Sequence, residues 1–572
     1  MTTRYSNAAR VWIMGSLLLW EACLVGVGQT RVEDIFGRSL NQRGIVLVDW
    51  DGYMANPLIK FFLLPPANAV FPASATLTAS GARLYFEGAG TVSPAGPQSA
   101  VLFPNAAARA AVRLSVFPDR DGLDEDYTLT IVFTGGNGVR QTNTLPIHVV
   151  DQDLQRANDF DVIVNFDRDV TGFFTNSTRR ALVRQAAEDW SCHFANMTLD
   201  PVGVGAESTY IWFNNFDGGY FFSNTNAYRG YLLYAYGTTN AAHRSGGEAN
   251  FSGPVQRANN AALKIKRSGG FEAEVIGNYN TRGWLLLTND DDWLVTGNLG
   301  NETNDFYSIA HHEIGHALMF NPGHPGFSAA KAAGGFRGAA VTNYYGGPVP
   351  IDVFDHLDGA IDPESGQGVF GYEYHGGIPR KRWLITKLDL LCAQEVGYAL
   401  RDSSALRPLS LDARTPPTAT ATLPFIHHFS AQGGIPFYDW AVVSGALPAG
   451  LALDPFTGVL SGTPVTNGVF SVGVRLRDYH ENSGGVTNVF MISVAPPPPI
   501  FLEVTLSGEG ADLRADLTLH GALGQQQVIQ VSSDLEQWTS IATNFLGAAV
   551  FRVTEGAATQ RFQRFYRAVV AP

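Results

Sequence analysis

The chain has 572 residues, and its 39 Lys and Arg against 52 Asp and Glu leave a formal net charge of −13. An acidic balance of this size, with no basic cluster, argues against nucleic acid as a partner. The length predicts several domains, because single hydrophobic cores stop growing at about 250–300 residues. Charged residues make up only 16 % of the chain, whereas 61 Gly and 30 Pro are plentiful, which favours turn-rich β domains over a helical bundle.

The N-terminal segment 1–29 has the pattern of a secretory signal peptide. Arg4 and Arg10 provide a basic start, and residues 11–27 are apolar apart from a single Glu. The apolar stretch is short for a membrane-spanning helix. We therefore expect cleavage near residues 28–30 and export to the extracellular space or the cell surface. A lipid anchor on the one cysteine of this segment is a minor alternative.

The next segment, residues 30–153, is predicted to form a β-sandwich. Short β-branched or aromatic runs recur there between Pro, Gly and Asn turns. Two acidic stretches, residues 119–126 and 149–153, resemble those of Calx-β or cadherin-like modules. The resemblance implies that their carboxylates could hold Ca²⁺. The alternative is that they are ordinary solvated carboxylates in turns.

Residues 154–402 differ in pattern and are predicted to form a compact α+β domain of ordinary size. Residues 176–178 supply an N-terminal cap for a predicted helix over 179–194, whose apolar positions recur at i, i+3 and i+4. Strand-like runs follow, and then a second helix that carries the most specific motif of the chain. An amphipathic helix over 385–398, which ends at a Gly, closes the domain.

The motif is His312-Glu313-Ile314-Gly315-His316. An α-helix has 3.6 residues per turn, so His312 and His316 project from one face, one turn apart. Two imidazoles held in this way can bind one Zn²⁺ at roughly 2.0–2.1 Å. Glu313 follows the first ligand and is placed to act as the general base rather than to bind the ion. The alternative is a chance motif whose histidines only make hydrogen bonds.

A catalytic zinc ion generally takes three protein ligands. The sequence Asn321-Pro322-Gly323 should end the helix and reverse the chain, which makes His324 the first side chain able to return to the metal. We therefore predict His312, His316 and His324 as metal ligands, with Glu313 as the catalytic residue. The alternative third ligands are His356, His375, Glu364 and Glu373.

This region, residues 154–402, resembles the metzincin zinc peptidases, particularly secreted bacterial ones. The resemblance is specific at His312, Glu313 and His316 and at the closing helix. It implies an α+β catalytic domain that hydrolyses peptide bonds. Some metzincins have a disulfide between the first helix and the end of the domain, and this resemblance implies that Cys192 and Cys392 lie close together, either bridged or as two separate buried thiols.

The chain departs from the metzincin pattern in two places. Metzincins usually have HExxHxxGxxH, whereas here Met319 stands at the Gly position and Pro322 at the third His position. His324 comes two residues late. The methionine turn beneath the metal is also absent from the sequence, and Ile378 is the expected apolar substitute.

Two further modules are predicted after the catalytic region. Residues 415–496 resemble the immunoglobulin-like repeats of bacterial surface and secreted proteins, through the segments 444–451 and 454–464. The four prolines at 496–499 predict a stiff spacer. Residues 500–572 are predicted to form a last small β unit, similar to the terminal β domains of exported bacterial proteins.

Together these patterns predict a multidomain protein in which an α+β metzincin-like catalytic domain is flanked by all-β sandwich domains. The predicted function is that of a secreted, monomeric zinc-dependent endopeptidase acting on a protein or peptide substrate, with β modules that could attach it to a cell surface or polymer. The rival interpretation is a non-catalytic metal-binding adhesin or structural surface protein. Glu313 beside both histidines favours the enzyme, because a binding protein needs no base.

Overall fold

The computed structural model describes residues 29–570. The exceptions are 82, 88–97, 155–161, 196–201, 209, 216–217, 229–230, 239–246, 252–274, 281–283, 286–303, 333–334, 354, 371–382, 404, 481–483, 498–499, 510–511, 521–525, 546–549 and 556–562. The predicted signal peptide therefore lies outside the described residues except at its last position. None of the described helices is long and apolar enough to cross a membrane.

The first part of the chain, residues 31–152, folds into two packed β-sheets that we call the first sandwich. Its strands are β1 (Arg31–Glu33), β2 (Ile45–Trp50), β3 (Ile59–Leu64), β4 (Ala73–Ala79), β5 (Leu84–Phe86), β6 (Gln98–Phe103), β7 (Ala110–Val116), β8 (Glu125–Thr134) and β9 (Arg140–Gln152). The sheets have the orders β1-β3-β7-β5 and β2-β9-β8-β4-β6. Every second side chain is buried in β3 and through most of β8 and β9, as expected for strands with one face on a core.

The middle part contains a mixed sheet and several short strand pairs. Its strands are β10 (Val162–Asn165), β11 (Tyr210–Asn215), β12 (Gly218–Ser223), β13 (Tyr231–Thr238), β14 (Gly247–Phe251), β15 (Val275–Asn280), β16 (Trp284–Leu285), β17 (Asn304–Asp305), β18 (Lys331–Ala332) and β19 (Gly335–Phe336). The sheet has the order β10-β13-β15-β14. Strands β10, β13 and β15 are parallel, and β14 is antiparallel to β15.

Within the described residues, five α-helices accompany this sheet: α1 (Ser177–Ser191), α2 (Phe306–Leu318), α3 (Pro325–Ala330), α4 (Ala339–Tyr345) and α5 (Lys387–Glu395). The side chain of Asn176 accepts hydrogen bonds from the amides of Thr178 and Arg179 and so begins α1. Helix α5 begins with a capping box between Thr386 and Asp389. Almost all of α2 is buried, and both α1 and α2 pack against the mixed sheet and each other.

The last part of the chain is again β-structure. Its strands are β20 (Ser410–Leu411), β21 (Ala419–Thr420), β22 (Phe425–His428), β23 (Ala431–Gln432), β24 (Asp439–Gly445), β25 (Leu451–Leu453), β26 (Val459–Gly462), β27 (Gly468–Arg477), β28 (Val486–Ala495), β29 (Phe501–Ser507), β30 (Arg514–His520), β31 (Gln526–Ser532), β32 (Thr539–Phe545), β33 (Val550–Glu555) and β34 (Phe565–Val570). Strands β20 to β28 pack around one core, and β29 to β34 form two three-stranded sheets around another.

One hydrophobic core runs without interruption from the first sandwich into the middle part of the chain. It includes Trp50 and Phe61 from the sandwich together with Trp190, Phe306 and Leu388. The loop after β2 also makes backbone hydrogen bonds across the boundary, from the Ala55 amide to the Ile385 carbonyl (2.8 Å) and from the Leu58 amide to the Glu364 carbonyl (2.8 Å). The first sandwich and the middle part are therefore one packed body.

Candidate metal centre

Helix α2 carries the HExxH motif in a buried position. The rings of His312 and His316 have their centroids 4.8 Å apart and are nearly perpendicular. Glu313 is also buried, with 2 % of its surface exposed. Helical spacing thus places both imidazoles on one face, as the sequence predicts.

The third histidine at this face is His356. It lies in the loop between α4 and α5, and its Nε2 is 3.1 Å from the Nε2 of His316. The ring centroids of His312 and His356 are 5.0 Å apart. One ring nitrogen from each of the three histidines lies within 4.8 Å of the others. We call His312, His316 and His356 the histidine cluster.

The spacing of the histidine cluster fits a single zinc ion. Two nitrogens that bind a tetrahedral Zn²⁺ at about 2.0–2.1 Å are about 3.3 Å apart. The 3.1 Å between His316 and His356 is close to that distance. Neutral imidazoles in a set of three are typical ligands of catalytic zinc.

Hydrogen bonds to the far side of two rings orient their Nε2 atoms toward the centre of the cluster. The Nδ1 of His316 is 2.6 Å from the Phe320 carbonyl oxygen. The Nδ1 of His356 is 3.0 Å from Oδ2 of Asp352, whose Oδ1 also accepts from the His356 amide. A carbonyl oxygen or carboxylate can only accept, so each Nδ1 donates and each Nε2 keeps its lone pair for a metal.

Phe370 forms the apolar floor of the cluster. Its ring stacks on His312 at 4.5 Å, meets His316 edge-on at 4.7 Å and stacks on Phe320 at 4.0 Å. The Phe370 amide donates to Oδ1 of Asp389, which ties the floor to the start of α5. A Cβ at Gly315 would lie 2.5 Å from the Phe370 ring, so the motif needs glycine there.

The structure places His324 outside the histidine cluster, so the three ligands predicted from the sequence are not brought together. After α2 the chain turns through residues 319–323, and a new helix, α3, begins directly after His324 with Pro325. The Nδ1 of His324 accepts hydrogen bonds from the amides of Gly326 and Phe327, at 3.1 and 3.4 Å. His324 is thus the N-cap of α3, because the first amides of a helix need an acceptor.

The other alternative ligands divide into two groups. Glu364 is buried and pairs with the Lys387 ammonium at 2.8 Å, so its nearest cation is a side chain of the protein. Burial raises the pKa of Glu364 to about 7, and Lys387 opposes that shift. His375, Glu373 and the expected apolar substitute Ile378 lie in 371–382, outside the described residues.

A buried carboxylate, Asp189 on α1, contacts side chains of α2, the helix that carries the HExxH motif and that we call the metal helix. Its Oδ2 is 2.6 Å from Nε2 of His311, and it also accepts from the Tyr307 hydroxyl. Arg120, from the loop between β7 and β8 of the first sandwich, forms an ion pair with the same carboxylate. The indole of Trp190 donates to the His311 carbonyl at 2.9 Å. The first sandwich therefore takes part in positioning the histidine cluster, which sequence patterns did not reveal.

Cys192 and Cys392 are not joined to each other by a disulfide. Cys192 donates to the Asp189 carbonyl oxygen at 3.2 Å, and Cys392 is buried within α5. The bridge implied by the metzincin resemblance is therefore not present. The ends of the two helices are joined instead by backbone pairing, since Phe194 forms a β-bridge with Leu400.

A second group of possible metal ligands lies at one end of the first sandwich. Asp49, Asp119 and Asp151 each place a carboxylate oxygen within 4.8 Å of the others. The Arg83 guanidinium contacts Asp49, and it pairs with Asp119 at 2.6 Å. Burial raises the pKa of Asp49 to about 8, although Arg83 opposes the shift. The acidic stretches found in the sequence meet here, joined by Asp49, which the sequence did not single out.

This carboxylate cluster continues into Asp153. One oxygen of Asp153 accepts from the Gly52 amide at 2.6 Å. Within the described part of the chain, the Oδ2 atoms of Asp151 and Asp153 are buried without a hydrogen-bond partner. Burial, together with the nearby Asp151, raises the pKa of Asp153 to about 7. More negative charge is gathered here than Arg83 alone neutralises.

Comparison with known proteins identifies one domain. Residues 408–495 match the family described as "Putative Ig domain". No curated protein matches the chain as a whole or in part. Among solved structures, similarity extends to a Bacteroides fragilis protein described as a putative α-galactosidase/melibiase, with 24 % identity over 15 % of this chain and a TM-score of 0.13. This chain spans only 17 % of that protein.

Cadherin ectodomains are also similar to parts of the chain. Human desmocollin-1 is 8 % identical, with 93 % of this chain and 77 % of that one covered and a TM-score of 0.14. Domains 3–6 of protocadherin gamma B2 are 7 % identical, with 82 % and 78 % covered and a TM-score of 0.15. The predictions of a multidomain, mostly β protein and of an immunoglobulin-like module before residue 496 are confirmed.

Proposed function

We propose that the chain is a zinc-dependent endopeptidase with His312, His316 and His356 as metal ligands and Glu313 as general base. The observation that carries the proposal is the meeting of three imidazoles from two separate segments, two of them buried and His316 half-buried, with the buried Glu313 on the same helix as His312 and His316. A structural zinc site would not require this base, and it is usually closed by a fourth protein ligand. The proposal assigns the metzincin-like activity to residues 154–402, with a protein or peptide as substrate.

The chain's own residues would divide the reaction between them. A bound zinc ion would supply Lewis acidity and so polarise the scissile carbonyl and favour ionisation of a water molecule. Glu313 would accept the proton of the attacking water and deliver it to the leaving amine. Asp352 and the Phe320 carbonyl keep two imidazoles in the tautomer that binds metal. Phe370 excludes water from one side of the cluster.

Replacing Glu313 with Gln should preserve zinc content and lower turnover by about 10²–10⁴-fold, because general-base catalysis has that typical worth and the residue is not a ligand. Zinc content is measured by elemental analysis, and turnover on casein-type and peptide-library substrates with and without a chelator. Glu188→Gln, an equivalent change on the exposed face of α1, is the control and should leave both unchanged. Activity in Glu313→Gln close to that of the wild type would rule out this role.

The same assay separates the enzyme from the rival function. The mostly β architecture and the immunoglobulin-like domain favour a metal-binding adhesin or structural surface protein as the second candidate. That candidate predicts stoichiometric zinc with no chelator-sensitive cleavage of any library peptide. Chelator-sensitive cleavage that disappears in Glu313→Gln would exclude it.

We also propose that the carboxylate cluster of the first sandwich binds Ca²⁺. The support is geometric: the carboxylates of Asp49, Asp119 and Asp151 lie within reach of one ion, and within the described residues the Oδ2 atoms of Asp151 and of the neighbouring Asp153 are buried without a hydrogen-bond partner. Hard oxygen ligands of this kind suit Ca²⁺. Arg83 neutralises only part of the charge.

This site predicts a stabilisation by Ca²⁺ that grows with pH. Burial raises the pKa values of Asp49 and Asp153 from 3.8 to about 8 and about 7. Without a cation, the stability these groups contribute is fully present below about pH 4 and is lost as pH rises through 7–8. Ca²⁺ favours the ionised carboxylates, so it should raise the melting temperature by several degrees at pH 8 and less at pH 5.

Scanning calorimetry with Ca²⁺ or with a Ca²⁺ chelator measures this shift. Asp151→Asn should remove the Ca²⁺ effect, whereas Asp126→Asn, in the same sandwich but paired with His148, should retain it. A melting temperature that does not respond to Ca²⁺ at pH 8 would show that Arg83 is the only counter-charge of the cluster.

A further inference from the structure

A cavity of about 280 Å³ lies on α1, β10 and β13, away from the histidine cluster. It opens where β10 ends and is lined on one side by Arg180 and Arg184 of α1. Trp190 on α1 donates to the metal helix. Arg184 lies six residues before Trp190, which is about 9 Å along the helix axis. The cavity is therefore separate from the proposed zinc site.

The two arginines face the same aromatic ring. Their guanidinium carbons lie 5.2 and 5.1 Å from the centroid of Phe166. Residues four apart on a helix are neighbours, so two positive charges are held side by side over this ring. Arg180 is fixed by donating to the Phe174 carbonyl oxygen. Arg184 is exposed, and no carboxylate pairs with it in the described part of the chain.

Among the described residues, the remaining lining is neutral except for one acid. Asp167 lies at the rim, where its carboxylate accepts from the side-chain amide of Asn165 at 3.2 Å and its own amide donates back to Asn165. Asp167 is thus engaged by its own turn and by the Thr225 hydroxyl, which donates to it at 3.5 Å. Two cations against one anion, on a chain with a net charge of −13, make this cavity locally positive. Such a concave positive region attracts anions.

The chemistry of the lining indicates the ligand. Guanidinium groups pair with carboxylate or phosphate oxygens through two parallel hydrogen bonds. Beside them, Phe166, Leu232 and Tyr234 offer aromatic and aliphatic surface. We propose that this cavity binds the oxyanion of a small ligand that also carries an apolar group, with Arg184 and Arg180 on the oxyanion. The site is independent of the proposed zinc chemistry.

Calorimetric titration of the full chain tests this site with three probes: benzoate, phenyl phosphate and neutral benzamide. Saturable binding is expected for at least one of the two anions and not for benzamide. The anion that binds more tightly identifies the oxyanion as carboxylate or phosphate. Saturable binding of neither anion, or equal binding of benzamide, would overturn the proposal.

Variants assign the binding to the arginines. Arg184→Gln should lower the affinity for the anion by about tenfold or more, since a charge-assisted pair is lost. The affinity of Arg184→Lys should lie between those of the wild type and Arg184→Gln, because Lys keeps the charge but lacks the planar guanidinium. Arg179→Gln, whose guanidinium lies over Phe173 instead, should bind as the wild type does. Because Arg184 is exposed, its variant should fold, and unchanged affinity in a folded Arg184→Gln protein would contradict the proposal.

Discussion

His356→Ala should weaken zinc binding by more than about 100-fold and abolish peptide hydrolysis. Catalytic zinc generally takes three protein ligands, and this change leaves only the two histidines of α2. His356 contributes its Nε2 from a loop that is anchored by Asp352, and among the described residues it is the third member of the histidine cluster. Asp352→Asn should have a smaller effect of about 10–100-fold on zinc affinity, as expected when a metal-binding imidazole loses its carboxylate partner.

His324→Ala is the matched control, because it removes the histidine that the sequence analysis predicts as the third ligand. It should retain zinc and lose only about 1 kcal/mol of stability, the usual cost of an N-cap. His324→Asn should restore most of that loss, since Asn caps a helix equally well. Zinc affinity is measured by competition with a chromogenic chelator, and stability by denaturant unfolding. Loss of zinc in His324→Ala with normal binding in His356→Ala would reverse the ligand assignment.

Asp189→Ala should destabilise the body formed by the first sandwich and the middle part by about 3–5 kcal/mol. Removing one partner of a buried ion pair leaves the other charge uncompensated. Here the carboxylate serves His311 and Tyr307 on the metal helix and Arg120 on the sandwich at once. Because Asp189 is fully buried, solvent cannot replace these contacts.

A double-mutant cycle identifies the source of this loss. The double variant Arg120→Met/Asp189→Asn should lose clearly less free energy of unfolding than the sum of the two single variants, because each single change already removes the Arg120–Asp189 ion pair. Arg109→Met, on an exposed arginine 3.8 Å from Glu33, is the control and should cost less than about 1 kcal/mol. Urea denaturation of the full chain measures all four variants. Additive effects of Arg120 and Asp189 would show that the sandwich does not brace the metal helix.

The double-mutant cycle also tests whether the first sandwich supports the helices of the middle part. The continuous core and the Arg120–Asp189 pair make it part of the same packed body as α1 and α2. We therefore expect limited proteolysis to release the C-terminal module before it separates the first sandwich from the middle part, because the core of that module is separate. The immunoglobulin-like module should stay attached longer, since its Ile435 and Tyr479 belong to the continuous core and the Tyr479 hydroxyl donates to the Lys60 carbonyl oxygen at 2.7 Å.

Local patterns in the sequence account for several features of the site. The three-residue gap between His312 and His316 places them on one face of any α-helix, whatever surrounds it. The cap at Asn176 and the apolar spacing after it likewise indicate α1, because capping and amphipathicity act within a few residues. Alternating burial and turn residues indicate the β-sandwiches for the same reason.

Tertiary structure alone decided the rest. The sequence interpretation chose His324 because it follows the predicted chain reversal at 321–323, but the first amides of α3 need an acceptor and His324 provides it. His356, forty residues after His316, reaches the cluster because its loop is anchored by Asp352 and lies against Phe370. Asp49 meets Asp119 and Asp151 only because β2 and β9 end side by side. Such contacts depend on how distant segments pack, which short-range periodicity does not encode, whereas the spacing of His312 and His316 depends on a single helical turn.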